Sequence, residues 1–360
     1  MKQKSGIILA GAIIGIISVV LVLTGNPGNM GLCVACFLRD ISGAVGLHSA
    51  AVVQYLRPEI SGLILGALGM ALISKEFKPK GGSSPFLRFI LGFIVMVGAL
   101  MFLGCPLRMV LRLAGGDLNA LWGFAGFTAG ILAGIQFLNK GFTLGRTQKS
   151  SIAEGSAISF IATALIILLL IAPAGLLFSA KGPGSMHAPI LIALAAGLIG
   201  GAIAQKTRLC MVGGIRDVFM FKDFYLFSGF ISIFVFALIG NVAFGKFALG
   251  FADQPIAHTD ALWNFLGMLS AGWGSVLLGG CPLRQLILAG EGNSDSAVTV
   301  MGLVVGAAFA HNFKLASSPA GPTSFGKIAV IIAFVVLACI SYYNIEKQMQ
   351  FKEVNIKEVA

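Results

Sequence analysis

Gly-Cys-Pro-Leu-Arg occurs twice in this sequence, at Gly104–Arg108 and at Gly280–Arg284. Each copy puts a thiol directly before a proline and a guanidinium three residues after the thiol. Proline is favoured at the first position of a helix, where its missing N–H costs nothing. Cys105 and Cys281 are therefore expected at helix N-caps, each after a glycine that permits a sharp turn. A helix N-terminus offers unpaired N–H donors and about half a positive charge. With Arg108 or Arg284 nearby, the constellation presents a thiol, donors and a cation. That chemistry suits a small, anionic, sulfur-like species.

A second pair of segments has the same character. "LCVACFLRD" (32–40) and "LCMVGGIRD" (209–217) share Leu-Cys and, six residues past the cysteine, Arg-Asp. Cys33 and Cys210 thereby join the candidate pathway thiols, with Arg39 and Arg216 as matched cations. Asp40 and Asp217 are accessory candidates, as ligand-facing groups or as salt-bridge partners that pin each segment. Charges inside a membrane are costly and usually paired or functional. Cys36 has Gly213 as its counterpart, so the repeat does not require it. "CVAC" is a single C-x-x-C, short of the four ligands of structural zinc and without a thioredoxin-like context. Cys339 has no repeat partner and reads as a small apolar filler. His48, His187, His258 and His311 share no spacing with the cysteines. "GGDLN" (115–119) and "GEGNSD" (290–295) lack the lysine of a phosphate loop. No metal site, cofactor site or catalytic triad is visible, and an enzyme is not expected.

The elements that position these residues are apolar. The 360-residue chain is 57% hydrophobic and 11% charged, with a mean hydropathy of +0.93. Soluble domains carry about 25% charged residues. Ten apolar stretches have the rough length needed to cross ~30 Å of hydrocarbon: 6–24, 58–74, 85–103, 119–138, 158–180, 187–204, 223–246, 262–280, 297–315 and 326–345. The first lacks a small-residue cleavage site and is read as a retained span. The expected class is an all-α polytopic membrane protein. Most of the 48 glycines are read as helix-packing residues.

The offset between the halves is 177 residues for Cys33 and Cys210, and 176 for Cys105 and Cys281. Gly126-x-x-x-Gly130 and Gly302-x-x-x-Gly306 again differ by 176. Residues 1–180 and 181–360 are thus two repeats within one membrane domain. Five long spans per repeat is an odd number, so the copies are expected to be inverted in the bilayer, with a midplane site between them. The segments 30–48, 104–117, 207–221 and 280–292 are too short to cross and too apolar for solvated loops. They are expected as four re-entrant half-helices forming an hourglass, with Cys105 and Cys281 near each other at its waist. The net charge of +11 lies in short loops, which excludes a nucleic-acid surface. Seventeen of the 25 basic residues fall on the side of the termini, Lys2, Lys347, Lys352 and Lys357 among them, so both termini are expected in the cytoplasm.

The run "GNPGNMGLCVACFLRDISGAVGLH" (25–48), with "VQYLRPEISGL" (53–63) and "GCPLR", resembles the YeeE/YedE family of bacterial inner-membrane sulfur transporters, and its YedE branch associated with selenium metabolism. The resemblance implies an hourglass-shaped importer of a small sulfur- or selenium-containing anion, thiosulfate-like or a selenium species. It implies passage along Cys33, Cys105 and Cys281, and a small soluble sulfur-carrier protein as a partner. The alternative reading from the residues is a membrane thiol-disulfide oxidoreductase using Cys33 and Cys36.

Overall fold

The computed structural model describes the backbone of residues 2–359 and the side chains of residues 4–345. Lys2, Lys347, Lys352 and Lys357 of the charge count lie outside the described side chains. The first half runs α1 (Lys2–Leu23), α2 (Val34–Ala44), α3 (Pro58–Ile73), α4 (Pro85–Phe102), α5 (Pro106–Ala114), α6 (Asn119–Asn139) and α7 (Ile152–Ile171). The second runs α8 (Ile190–Thr207), α9 (Met211–Phe221), α10 (Tyr225–Ala243), α11 (Ala261–Leu277), α12 (Pro282–Gly290), α13 (Ser294–Asn312) and α14 (Ser324–Val359). A two-residue antiparallel ladder between Lys80–Gly81 and Gln148–Lys149 is a minor addition that the apolar pattern did not announce.

Among the described residues, nine helices are long and apolar enough to cross a membrane. The protein is therefore an all-α, multi-pass membrane protein. The expected span 58–74 is the 16-residue apolar helix α3, about 24 Å long at 1.5 Å per residue. It starts at Pro58, as expected, because the residue before a proline avoids helical geometry, and Arg57 is extended at φ −77° and ψ 105°. The expected span 158–180 is shifted. Ser151 caps α7 by accepting from the Glu154 N–H, and the helix stops before Pro173.

The four short segments are helices of 11, 9, 11 and 9 residues. At 1.5 Å per residue none reaches across ~30 Å of hydrocarbon. Every residue of α2 is buried, Arg39 and Asp40 included, so this half-helix sits inside protein where its polar groups find partners.

Packing across the halves is reciprocal. Helix α6 lies on α11 and α13 lies on α4, while α3 lies on α8 and α10 on α1. The glycine pairs explain the first two contacts. A Cβ at Gly126 or Gly130 would strike the Phe265 or Leu269 carbonyl of α11. A Cβ at Gly302 or Gly306 would strike the Phe89 or Phe93 carbonyl of α4. Both partners are displaced by the same 176 residues as the glycines. The last helix of each half departs from this pattern, since α7 packs mainly on α3 and α14 on α11 and α4. Overpacking costs about 1–3 kcal/mol and sometimes more, so Gly130→Val is expected to lower the melting temperature in detergent. Gly69 has nothing within 4 Å of a built Cβ, so Gly69→Ala in the same assay is expected to leave it unchanged.

Candidate functional site

A cysteine stands at the N-cap of each of the four short helices: Cys33 for α2, Cys105 for α5, Cys210 for α9 and Cys281 for α12. All four are buried. Two of these caps were legible from Cys-Pro. The other two are made differently, because Cys33 Sγ accepts from the Cys36 N–H and Cys210 Sγ from the Gly213 N–H, each at 3.3 Å. A thiol acting as its own helix's cap acceptor has no proline to reveal it.

The turn before each GCPLR helix also differs from the expectation. The left-handed residue is not the glycine beside the cysteine but the one before it, Leu103 at φ 63° and Gly279 at φ 80°. Gly104 and Gly280 are required for room instead. A Cβ there would lie 2.8 Å from Arg108 Cδ or 2.9 Å from Arg284 Cγ. The glycine therefore lets the arginine fold back over the helix start.

The thiols pair within each half. Cys33 Sγ lies 2.7 Å from Cys36 Sγ and 3.9 Å from Cys105 Sγ, and Cys210 Sγ lies 4.0 Å from Cys281 Sγ. The close sulfur contacts thus join the two half-helices of one repeat, whereas the sequence had suggested a meeting of the two GCPLR copies.

Arg108 is fully buried. Its Nη1 donates to Cys36 Sγ at 3.5 Å and to the Leu103 carbonyl. Its Nε donates to the Asn29 carbonyl at 3.1 Å, and Nη2 to the Pro255 and Ile256 carbonyls at 3.3 Å. Carbonyl dipoles hold this cation, and no carboxylate lies within ion-pair distance among the described residues. The net result is an uncompensated positive charge against the Cys33, Cys36 and Cys105 cluster.

The other candidate arginines each have a carboxylate partner. Arg39 binds Asp40 at 2.7 Å, and the second Asp40 oxygen takes Arg57 Nε at 2.8 Å. Arg216 binds Asp217 at 2.8 Å. Arg284 binds Glu291 at 3.0 Å, and Glu291 is shared with Arg208. Asp40 thereby ties α2 to Arg57 at the start of α3, whereas among the described residues the Asp217 carboxylate meets only its neighbour Arg216. The four histidines stand apart from this set: His48 and His258 bond the Arg39 and Met101 carbonyls, His187 stacks on Tyr55, and His311 lies against His48 at a tilt of 32°. Cys339 is exposed on α14.

Sequence reasoning did not single out Arg57, Glu59, Asn26 or Asn29. Arg57 and Asn26 build the network behind α2, and Asn29 gives Arg108 a carbonyl. A cavity of about 290 Å3 lies above them, lined by Asn26, Gly28, Asn29, Asn241, Lys246 and Pro255 among others. Its walls come from the C-terminal ends of α1 and α10 and from the loops before α8 and α11. It therefore opens on the face opposite the start of α1.

Fold and site together define a multi-pass helical membrane protein whose buried half-helices present thiols at their N-termini. Residues 206–355 match the model of the sulphur transport family, so the resemblance carried by the cysteine motifs holds in the second half of the chain. A 99-residue stretch is 31% identical to the thiosulfate transporter TsuA of Spirochaeta thermophila, covering 28% of this chain and 29% of that protein. A 126-residue stretch is 29% identical to the thiosulfate transporter TsuA of Escherichia coli, covering 33% and 34%. The chain thus aligns with about a third of the length of these curated relatives. They are named for transport and not for a catalysed reaction.

Proposed function

We propose that this protein is a bacterial inner-membrane transporter that imports a small sulfur- or selenium-containing anion, thiosulfate-like or a selenium species, past its buried thiols. The observation that carries the reading is Arg108: a buried guanidinium with no carboxylate partner among the described residues, in contact with Cys36 and adjoining Cys33 and Cys105. An unpaired buried charge is expensive, and an anion arriving there would offset that cost. The names of the relatives support the substrate class.

In this reading the two halves are inverted repeats, 1–180 and 181–360, both termini are cytoplasmic and the 290 Å3 cavity is the outer vestibule. The anion sheds water beside Lys246 and the asparagines and then meets Arg108. Thiol S–H groups and helix N-terminal N–H groups replace its hydration in steps. Because thiols are weak donors, each step releases the anion readily. It passes from Cys33 and Cys105 to Cys210 and Cys281, and leaves near Arg284 and the 43% exposed Arg208 side chain. A soluble sulfur-carrier protein is the recipient that the family resemblance suggests. Uptake of labelled thiosulfate by purified protein in liposomes, with selenite and other chalcogen anions as competitors, tests this. Saturable uptake above protein-free liposomes is expected; its absence for every chalcogen anion would end the transport reading.

The second reading, a thiol-disulfide oxidoreductase, is favoured by one observation, the 2.7 Å approach of Cys33 and Cys36. Cys36→Ser separates the two. Uptake within about twofold of the unsubstituted protein is expected from a transporter, since a hydroxyl keeps a donor at this place. Loss of all activity would instead point to a dithiol cycle.

A further inference from the structure

Four carboxylates are buried among the described residues: Asp40, Glu59, Asp117 and Asp295. Three of them pair with arginines. Glu59 does not. It is 0% exposed, its Oε1 accepts from Asn26 Nδ2 at 2.8 Å, and its Oε2 has no partner. A fully buried carboxylate with one bare oxygen is costly when charged. Ionisable side chains held inside membrane proteins are commonly sites of proton movement.

The surroundings tie Glu59 to the anion pathway. Asn26 lines the 290 Å3 cavity, so one amide separates the carboxyl from that space. The Asn26 Oδ1 accepts from Arg57 Nη1 at 3.3 Å and from the Ala188 N–H at 2.8 Å. Arg57 holds Asp40, and Asp40 holds Arg39 on α2, the half-helix that begins at Cys33. The charged groups around Glu59 are thus Arg57 on its own helix start and Arg39 and Asp40 from α2. Tyr55 and His187, stacked at 4.0 Å, are the other titratable neighbours. Helix α8 presents Gly197 to the Glu59 backbone, and the outer end of α7 is aliphatic.

Two positive and two negative charges make this group neutral when Glu59 is ionised. A proton on Glu59 leaves it with one net positive charge beside the cavity. An anion in the cavity therefore favours the proton, and by reciprocity the proton favours the anion. The internal repeat does not ask for this residue: the helix matching α3 is α10, which begins Tyr225-Leu226 where α3 begins Pro58-Glu59.

We propose that Glu59 is a proton-binding site that couples anion import to proton entry, making the transport a symport. This rests on the transport reading given above and adds its driving force. No bond is made or broken beyond protonation of one carboxylate at the outer face and its release toward the inner one.

The test uses purified full-length protein in liposomes that hold a pH-sensitive dye. Labelled thiosulfate is added outside, and label and lumenal pH are read together. In the unsubstituted protein each anion is expected to bring protons, so the lumen acidifies. An inward proton gradient should raise the initial rate about 5–150-fold, the usual range of coupling between sites. In Glu59→Gln, which keeps the Asn26 contact, whatever label enters is expected to enter without acidification and without response to the gradient. Acidification retained in Glu59→Gln overturns the proposal. So does uptake by the unsubstituted protein that ignores the gradient, a readout independent of how well the variant folds. If no label enters the unsubstituted protein, the transport reading falls, and the coupling with it.

Discussion

Arg108→Gln is expected to abolish uptake of the labelled anion while the protein still elutes as a single species from detergent. A desolvated charge pair that loses one partner costs about 2–5 kcal/mol, which is about 30- to 5,000-fold in the efficiency of uptake. Such a loss reflects position. Arg39, Arg216 and Arg284 each spend their charge on a carboxylate, while Arg108 is held by carbonyls and the Cys36 sulfur. Arg108→Lys is expected to fail nearly as badly. A single ammonium cannot fork among Asn29, Leu103, Pro255 and Ile256 as a planar guanidinium does. Initial uptake rates over a range of anion concentrations check this. Uptake by Arg108→Gln at the unsubstituted rate would show that the charge serves the fold only.

Cys33→Ala and Cys105→Ala are expected to reduce uptake by about 5- to 150-fold each, the consequence of losing a buried donor worth about 1–3 kcal/mol. The pair should lose little more than either alone, because the two sulfurs lie 3.9 Å apart and contacting residues are not additive. Cys281→Ala is expected to be similarly impaired, with Cys210 4.0 Å away behaving as its partner. Radiolabel uptake by single and double variants decides it. Additive losses within one half would mean that the two thiols act at separate points along the path.

The four half-helices were legible because their lengths and polarity fit neither a span nor a loop. The reciprocal packing of α6 on α11 and α13 on α4 was foreshadowed by the Gly126/Gly130 and Gly302/Gly306 repeat. Cys105 and Cys281 as helix caps followed from the proline alone. What sequence spacing did not carry was partnership. By spacing alone Asp40 and Asp217 could face a ligand or form salt bridges, and only the fold pairs Asp40 with both Arg39 and Arg57, and Asp217 with Arg216. The same spelling at 108 and 284 hides two different environments, since Glu291 reaches Arg284 and, among the described residues, no carboxylate reaches Arg108. Which thiols touch was likewise set by how each repeat folds back, not by matching motifs. Glu59 lay within a quoted stretch but drew no notice, because its missing partner is visible only in three dimensions.

The central claim is that the anion sits between Arg108 and the Cys33 and Cys105 thiols on its way through. Selenosulfate, a thiosulfate analogue with a heavy outer atom, makes this directly visible in crystals of the protein by anomalous scattering. A selenium peak within hydrogen-bonding reach of the Arg108 guanidinium and in contact with the Cys105 sulfur is the predicted result. Selenium confined to the outer vestibule at saturating ligand, with the thiol cluster empty, would contradict it.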